Sequence, residues 1–482
     1  MKVFPRIVIL LALMISVMGV QGASAQGGLD YAGAYQIVNL TSDVEGADVT
    51  VTFYNPDGSE AGSFDDNIAA NSSKTYFMVL APVGSDFAGS MVISSTKLIT
   101  AISNLETSDN KYAASTTAFS GGNQTFYLPL IMCNNNNYNT FFSIQNVGLD
   151  VANVTINYVR GVAGVSGSEP ATIPLYASKQ FDQAVGSATK NCSSLGEGTA
   201  NRFLGSAKIT SDQPVVATVM QLNVNPQVPK VLMGYNGFPA PGNTTIQLPL
   251  VMGNNSGFYT VLQIQNVGTN PVAQTVTIDY GPNTVGTFNP VNETCSLAAN
   301  QSCTKYNQNT GQWTPPTGKK YIGNATITSS EPLVAIVNQN SPLVASSYEG
   351  FGPSAASEKV ILPLIMANES SYYTVIQVAN VGAACNGIVI DYGPNTTGTF
   401  NPVNEGFNLV AGGSRTIYNA ATTAGGNNSN NNWGTSNPAN RYRGSAVVTG
   451  PSGCQLLALV NEQRAGATWD TYMTYVGYNT SP

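Results

Sequence analysis

Apolar and polar residues alternate along most of this chain in short runs. Val49-Thr50-Val51-Thr52-Phe53-Tyr54, Val154-Thr155-Ile156-Asn157-Tyr158 and Val276-Thr277-Ile278-Asp279-Tyr280 are typical. Period-two alternation rich in Val, Ile, Thr and Tyr, broken by Gly, Asn and Pro about every eight to twelve residues, predicts short antiparallel strands. Beyond residue 25 no segment sustains a 3.6-residue apolar period, so long helices are not expected.

The strands recur in a fixed order. Leu128-Pro129-Leu130-Ile131-Met132 returns as Leu248-Pro249-Leu250-Val251-Met252 and Leu362-Pro363-Leu364-Ile365-Met366. A run ending in Asn follows each: Ser143-Ile144-Gln145-Asn146, Gln263-Ile264-Gln265-Asn266 and Gln377-Val378-Ala379-Asn380, with a looser copy at Gln36-Ile37-Val38-Asn39. A strand ending in Tyr comes next (Tyr54, Tyr158, Tyr280, Tyr392), then an aromatic-x-Gly-Ser/Asn motif at Phe87, Phe203, Tyr321 and Tyr442. That motif leads into a predicted hairpin, in the second copy Ala207–Thr210 and Val215–Gln221 joined at Ser211-Asp212-Gln213-Pro214. The four aromatics are expected to be core anchors, and Asn39, Asn146, Asn266 and Asn380 to satisfy turns.

Six or seven strands in roughly 115 residues match the size of an immunoglobulin-like sandwich. The expected fold is all-β: four tandem immunoglobulin-like antiparallel β-sandwich domains. Repeat 1 spans 26–121 and is shortened, lacking a Leu-Pro-Leu strand; repeats 2, 3 and 4 span 122–242, 243–356 and 357–482. Short aromatic joints such as Phe238-Pro239-Ala240-Pro241-Gly242 predict a semi-rigid rod on the order of 150 Å long. These combined motifs resemble the tandem Ig-like, adhesion-type β-sandwich repeats of secreted surface proteins from filamentous bacteria. The resemblance implies an extracellular structural or adhesive role and specifies no chemistry.

The first 25 residues read as a cleaved signal peptide. Lys2 and Arg6 precede an apolar stretch from Ile7 to Val20, and Ala23-Ser24-Ala25 supplies a small-residue exit. Its removal takes two cations and no anions, moving the net charge from −7 to −9. No later run is long enough to span a bilayer, so the mature chain is expected outside the cell or on its surface. Six cysteines fall two per repeat in repeats 2 to 4, which singles out Cys133–Cys192, Cys295–Cys303 and Cys385–Cys454 as disulfides. Cys295 and Cys303 flank a turn at Ala299-Asn300-Gln301 and are expected on adjacent strands. Among many Asn-x-Ser/Thr sequons, Asn71 and Asn300 sit at the equivalent strand-connecting turn and are the candidate glycosylation sites.

Charged residues make up only 9% of the chain and histidine is absent. So few cations argue against tracking nucleic-acid phosphates. Lacking His, the chain can form neither Ser-His-Asp nor Cys-His catalytic sets, nor His-ligated metal sites. No nucleophile elbow or phosphate loop occurs, and Asp65, Asp66 and Asn67 match no calcium-loop pattern. The expectation is a non-enzyme with no catalytic residues, metal or cofactor. Trp313 and Trp433, in long loops, are the candidate contacts for glycan or a neighbouring subunit.

Two functions follow. The first is a structural subunit of an extracellular filament, sheath or surface layer, whose partners are other copies of itself. It would assemble through sandwich contacts, with strand donation into the open edge of repeat 1 by Tyr472–Val476 as one route. The alternative is a monomeric cell-surface adhesin or carbohydrate-binding protein that takes glycan or cell-wall polymer.

Overall fold

A computed structural model describes residues 11–13, 31–84, 87–184, 189–223, 231–420, 431, 433 and 440–480. The described chain is all-β and antiparallel, with a single α-helical turn at Cys192–Leu195. No described helix is long and apolar enough to cross a membrane. Most of the expected signal peptide lies outside the described residues.

The repeats lay down the same strands, except that repeat 1 has no Leu-Pro-Leu strand among the described residues. The Asn strand is Tyr31–Asn39, Tyr138–Asn146, Tyr259–Asn266 and Tyr372–Asn380. The Tyr strand is Ala47–Tyr54, Ala152–Ala163, Gln274–Tyr280 and Cys385–Tyr392. The Leu-Pro-Leu strand is Asn123–Cys133, Asn243–Gly253 and Lys359–Ala367. A short closing strand is Ala113–Thr117, Leu232–Asn236, Ala345–Glu349 and Met473–Val476.

Where a hairpin was expected, repeats 2 and 3 instead carry one long strand, Phe203–Asn223 and Tyr321–Asn340. Its first half pairs with the Leu-Pro-Leu and Tyr strands, its second half with the Asn and closing strands. The Ser-x-x-Pro stretch therefore carries the chain from one set of partner strands to the other without reversing it, and the register slips there, between Thr210 and Val215. Repeats 1 and 4 follow the same path in two pieces, Ser90–Ser95 with Ile99–Thr107 and Tyr442–Thr449 with Leu456–Arg464.

A buried apolar cluster in each repeat draws on several of its strands. In repeat 2 it includes Leu128, Ile144, Ile156, Phe203, Ile209 and Ala217. The Tyr strand of repeat 1 alternates buried and more open positions, as one covered face demands. The Leu-Pro-Leu strand is instead buried continuously from Phe126 to Cys133, because the next repeat covers its outer face. Proline has no N–H for a sheet, and pairing slips between Leu128 and Ile131. The fully buried Tyr235 hydroxyl takes up the displaced groups: it donates to the Leu130 carbonyl at 2.7 Å and accepts from the Leu130 N–H at 3.3 Å. Tyr348 and Tyr475 do the same for Leu250 and Leu364.

The rod expectation fails. The four closing strands touch one another in a cycle, repeat 1 against 2, 2 against 3, 3 against 4, and 4 back against 1. Gln36 of repeat 1 donates to the Pro363 carbonyl of repeat 4 at 2.6 Å, and Ile102 enters the core of repeat 4. The chain is a closed ring. Short joints favour this because each repeat leaves an apolar strand face that only its neighbour can cover, and closure covers the last one.

Candidate functional site

Among the described residues, the repeated polar constellations lie where the repeats meet. Three of the four joints share one construction. A Gln on the Asn strand donates to the proline carbonyl of the preceding repeat: Gln263 to Pro129 (3.1 Å), Gln377 to Pro249 (3.2 Å) and Gln36 to Pro363. A threonine hydroxyl on the neighbouring strand, Thr304, Thr416 or Thr75, donates to that Gln and orients it. An apolar residue of the crossing strand, Ile336, Leu459 or Ile102, enters the core of the preceding repeat.

A second contact lies at the ring centre. Gln221 and Asn338 exchange two amide hydrogen bonds (3.2 and 2.9 Å), as do Gln339 and Asn461 (both 3.1 Å). At the third joint Asn104 donates to Glu462 at 3.0 Å. Glu462 is fully buried, and burial, aided by nearby Glu106 and opposed by the Asn104 bond, raises its pKa to about 8. Asp470 is also fully buried and ties three repeats to the fourth. Its carboxylate accepts from the Leu232 and Ala345 N–H groups, and its carbonyl accepts from Ala113. Burial drives its pKa well above the usual carboxylate range despite those bonds.

The joint between repeats 1 and 2 departs at every one of these points. The central amide pair is replaced by Leu105 and Met220, which pack in an apolar cluster with Tyr31 and Phe141. The position of the joint Gln holds Ser143, and that of its threonine holds Gln180. The inserted apolar residue is Thr218, which bonds Asn236 within its own repeat. Most importantly, repeat 1 has no Leu-Pro-Leu strand among the described residues. A cavity of about 370 Å³ opens there, lined by Pro56, Ala88 and Gly89 on one side and Ser143, Thr172, Lys179 and Gln180 on the other. Gln180 Nε2 is buried without a hydrogen-bond partner among the described residues. Three residues, Leu11–Leu13, pair with Ser90–Ser95 along the exposed edge (Leu11 opposite Ile93, Leu13 opposite Met91).

Several expected sites are relocated. Trp313 and Trp433 are each about 1% exposed, not surface contacts. Trp313 packs edge-on against Tyr280, Phe288 and Tyr321, and Trp433 against Tyr392, Phe400 and Tyr442. The Trp313 loop folds inward because its core has room for an indole; Gly253 is placed so that a Cβ there would strike the Trp313 ring. The expected strand donor Tyr472–Val476 is also buried, from Tyr472 to Tyr475. Its own repeat uses it as closing strand, with Tyr475 bonded to Leu364.

All three disulfides form as paired by repeat. Cys295 and Cys303 are not on adjacent strands, however. Glu293–Leu297 and Ser302–Tyr306 lie at opposite ends of the sheet order, so this bridge clasps two edges together. Asn71 and Asn300 both adopt left-handed turn conformations (φ 50° and 63°). Asn71 is exposed, whereas Asn300 is half-buried in a joint, where its carbonyl accepts from Ser206 at 3.2 Å. Asp65, Asp66 and Asn67 follow one another along a strand, and their side chains bond to Thr50, to Lys74 and Tyr76, and to Asp48; Asp66 also accepts from the Asn67 N–H. The four anchors Phe87, Phe203, Tyr321 and Tyr442 are buried. So are Asn39, Asn146, Asn266 and Asn380, whose amides cap carbonyls such as Ile68, Ile173, Leu297 and Val410.

No family model matches the chain, and no curated protein matches it. Among solved structures, Thermotoga maritima 1070 aligns over 25% of this chain and 98% of its own, at 17% identity and a TM-score of 0.20. The tetra-tandem repeat in the extending region of a large adhesion protein aligns over 96% of this chain and 98% of its own, at 11% identity and a TM-score of 0.10.

Proposed function

We propose that this protein is a non-enzymatic structural subunit of an extracellular filament, sheath or surface layer, exported by residues 1–25 and built of four immunoglobulin-like sandwich domains over 26–121, 122–242, 243–356 and 357–482. Its partners are other copies of itself and neighbouring exported chains, and it takes no cofactor. The observation that carries the reading is the ring. Three joints lock through buried polar pairs and proline-carbonyl bonds, the fourth through an apolar cluster, and three disulfides reinforce the repeats. Such a block suits load and durability, and its polar groups are spent on internal contacts instead of converging on a substrate.

The ring replaces a thin rod with a compact building unit, and low surface charge lets such units pack closely. The adhesin reading loses its named contacts, since both candidate tryptophans are interior. Electron microscopy of the exported protein at rising concentration tests the proposal. Ordered fibres or sheets of blocks are expected; particles that stay single at every concentration while binding glycan would refute it.

A further inference from the structure

The joint between repeats 1 and 2 has the form of a strand-binding slot. In the other three joints a Leu-Pro-Leu strand fills this place, buried on one face by its own core and on the other by the next repeat. Here the crossing strand Ser90–Ser95 keeps the edge that would pair with such a strand. Leu11 and Leu13 stand at the register positions that Val360 and Leu362 hold in repeat 4, and the cavity continues from there beside Ala88 and Gly89. Across it, Gln180 occupies the strand position paired with Ser143, one step over from the glutamines that bind proline carbonyls elsewhere. Its buried Nε2 has no acceptor among the described residues. A buried amide donor left unpaired costs about 1–3 kcal/mol, which an incoming carbonyl would recover.

We propose that this slot binds an extended strand of another exported chain, continuously apolar around a proline like Leu-Pro-Leu-Ile-Met, with Gln180 Nε2 donating to the backbone carbonyl of that strand. The proposal rests on the export reading, since it requires removal of residues 1–25 and with them Leu11–Leu13. The donor is a different polypeptide and not a second copy. All three Leu-Pro-Leu strands of this chain are buried in their own repeats, as is Tyr472–Tyr475. The remaining sequence stretches, 26–30, 224–230 and 421–439, contain no continuous apolar run. Main-chain pairing along the open edge supplies affinity, and the alternating pockets supply selectivity.

The test titrates protein recovered after export, its N-terminus fixed by mass spectrometry, with a peptide of residues 358–367 (Glu-Lys-Val-Ile-Leu-Pro-Leu-Ile-Met-Ala) and with a scrambled version. One saturable site per chain is expected, with the scrambled peptide at least about tenfold weaker and Gln180→Ala weakening the true peptide about three- to tenfold. A chain shown to start at Gln26 that binds neither peptide, or both equally, overturns the slot. Self-association that blocks peptide binding overturns the assigned occupant in favour of a second copy. If the recovered chain keeps residues 1–25, the processing reading has failed. The slot is then judged on Leu11→Asp/Leu13→Asp, which must gain peptide binding for the proposal to stand.

Discussion

Glu462 is the one acidic member of the central amide set, and replacing it with glutamine isolates what its charge does. Gln221 and Gln339 hold the equivalent place at the neighbouring joints and bond reciprocally to asparagine. Glu462 accepts from Asn104 through one oxygen, while Oε1 is buried without a partner. Burial holds its pKa at about 8. Between its ordinary value near 4.5 and about 8, the folded chain therefore binds a proton that the unfolded chain has released. Stability falls as pH rises through that window. At full ionisation the penalty is capped at roughly 5 kcal/mol, from 1.36 kcal/mol per pH unit of displacement, and local relaxation lowers it. Glu462→Gln removes this term. Urea unfolding of both chains should give similar free energies near pH 4, a gap that opens between pH 5 and 8 in favour of the variant, and a plateau above. Glu106, Glu349 and Asp470 titrate in both chains and largely drop out of the difference. Curves that stay parallel at every pH would show that Glu462 is not held neutral, and the reasoning about the ring centre would fall.

Three further outcomes are expected. Tyr235→Phe removes one oxygen and leaves the Leu130 N–H and carbonyl without their partner, so unfolding free energy should drop by about 2–4 kcal/mol, read by urea titration. Trp313→Ala should cost about 3–5 kcal/mol in a thermal scan while leaving any glycan binding unchanged, because the indole is core and not contact surface. Asp470→Ala strips the acceptor from two strand-starting N–H groups, and hydrogen exchange should accelerate at Leu232 and Ala345, in repeats far from the substitution in sequence.

What the sequence revealed and what it hid divide along a physical line. Strand identity was legible because each strand buries one face, and period two survives in Val49 to Tyr54 and its copies. Disulfide partners were legible because two cysteines per repeat leave little choice. The hairpin was misread because Ser211-Asp212-Gln213-Pro214 carries turn residues whether a chain reverses or merely changes partner strands. Trp313 and Trp433 were misplaced because loop length says nothing about whether a loop folds inward. The ring was hidden, yet its signal was present: a run as apolar as Leu-Pro-Leu-Ile-Met, with no polar face, means both sides are covered. Gln36, Gln263 and Gln377 also repeat at one position, but only contact with another repeat reveals why. The opening at the fourth joint is written as Ser143 and Gln180, substitutions that look neutral until set beside the other three.

Fusing four like units into one polypeptide has a consequence for symmetry. Were the same ring made from four separate identical subunits, any substitution would appear at every contact, and losing a strand at one would lose it at all. Covalent linkage lets a single contact diverge while three keep the molecule shut. That gives a rotationally repetitive body one unique side, hence a direction. If that side takes an outside strand as proposed, one partner caps the body, and it cannot branch.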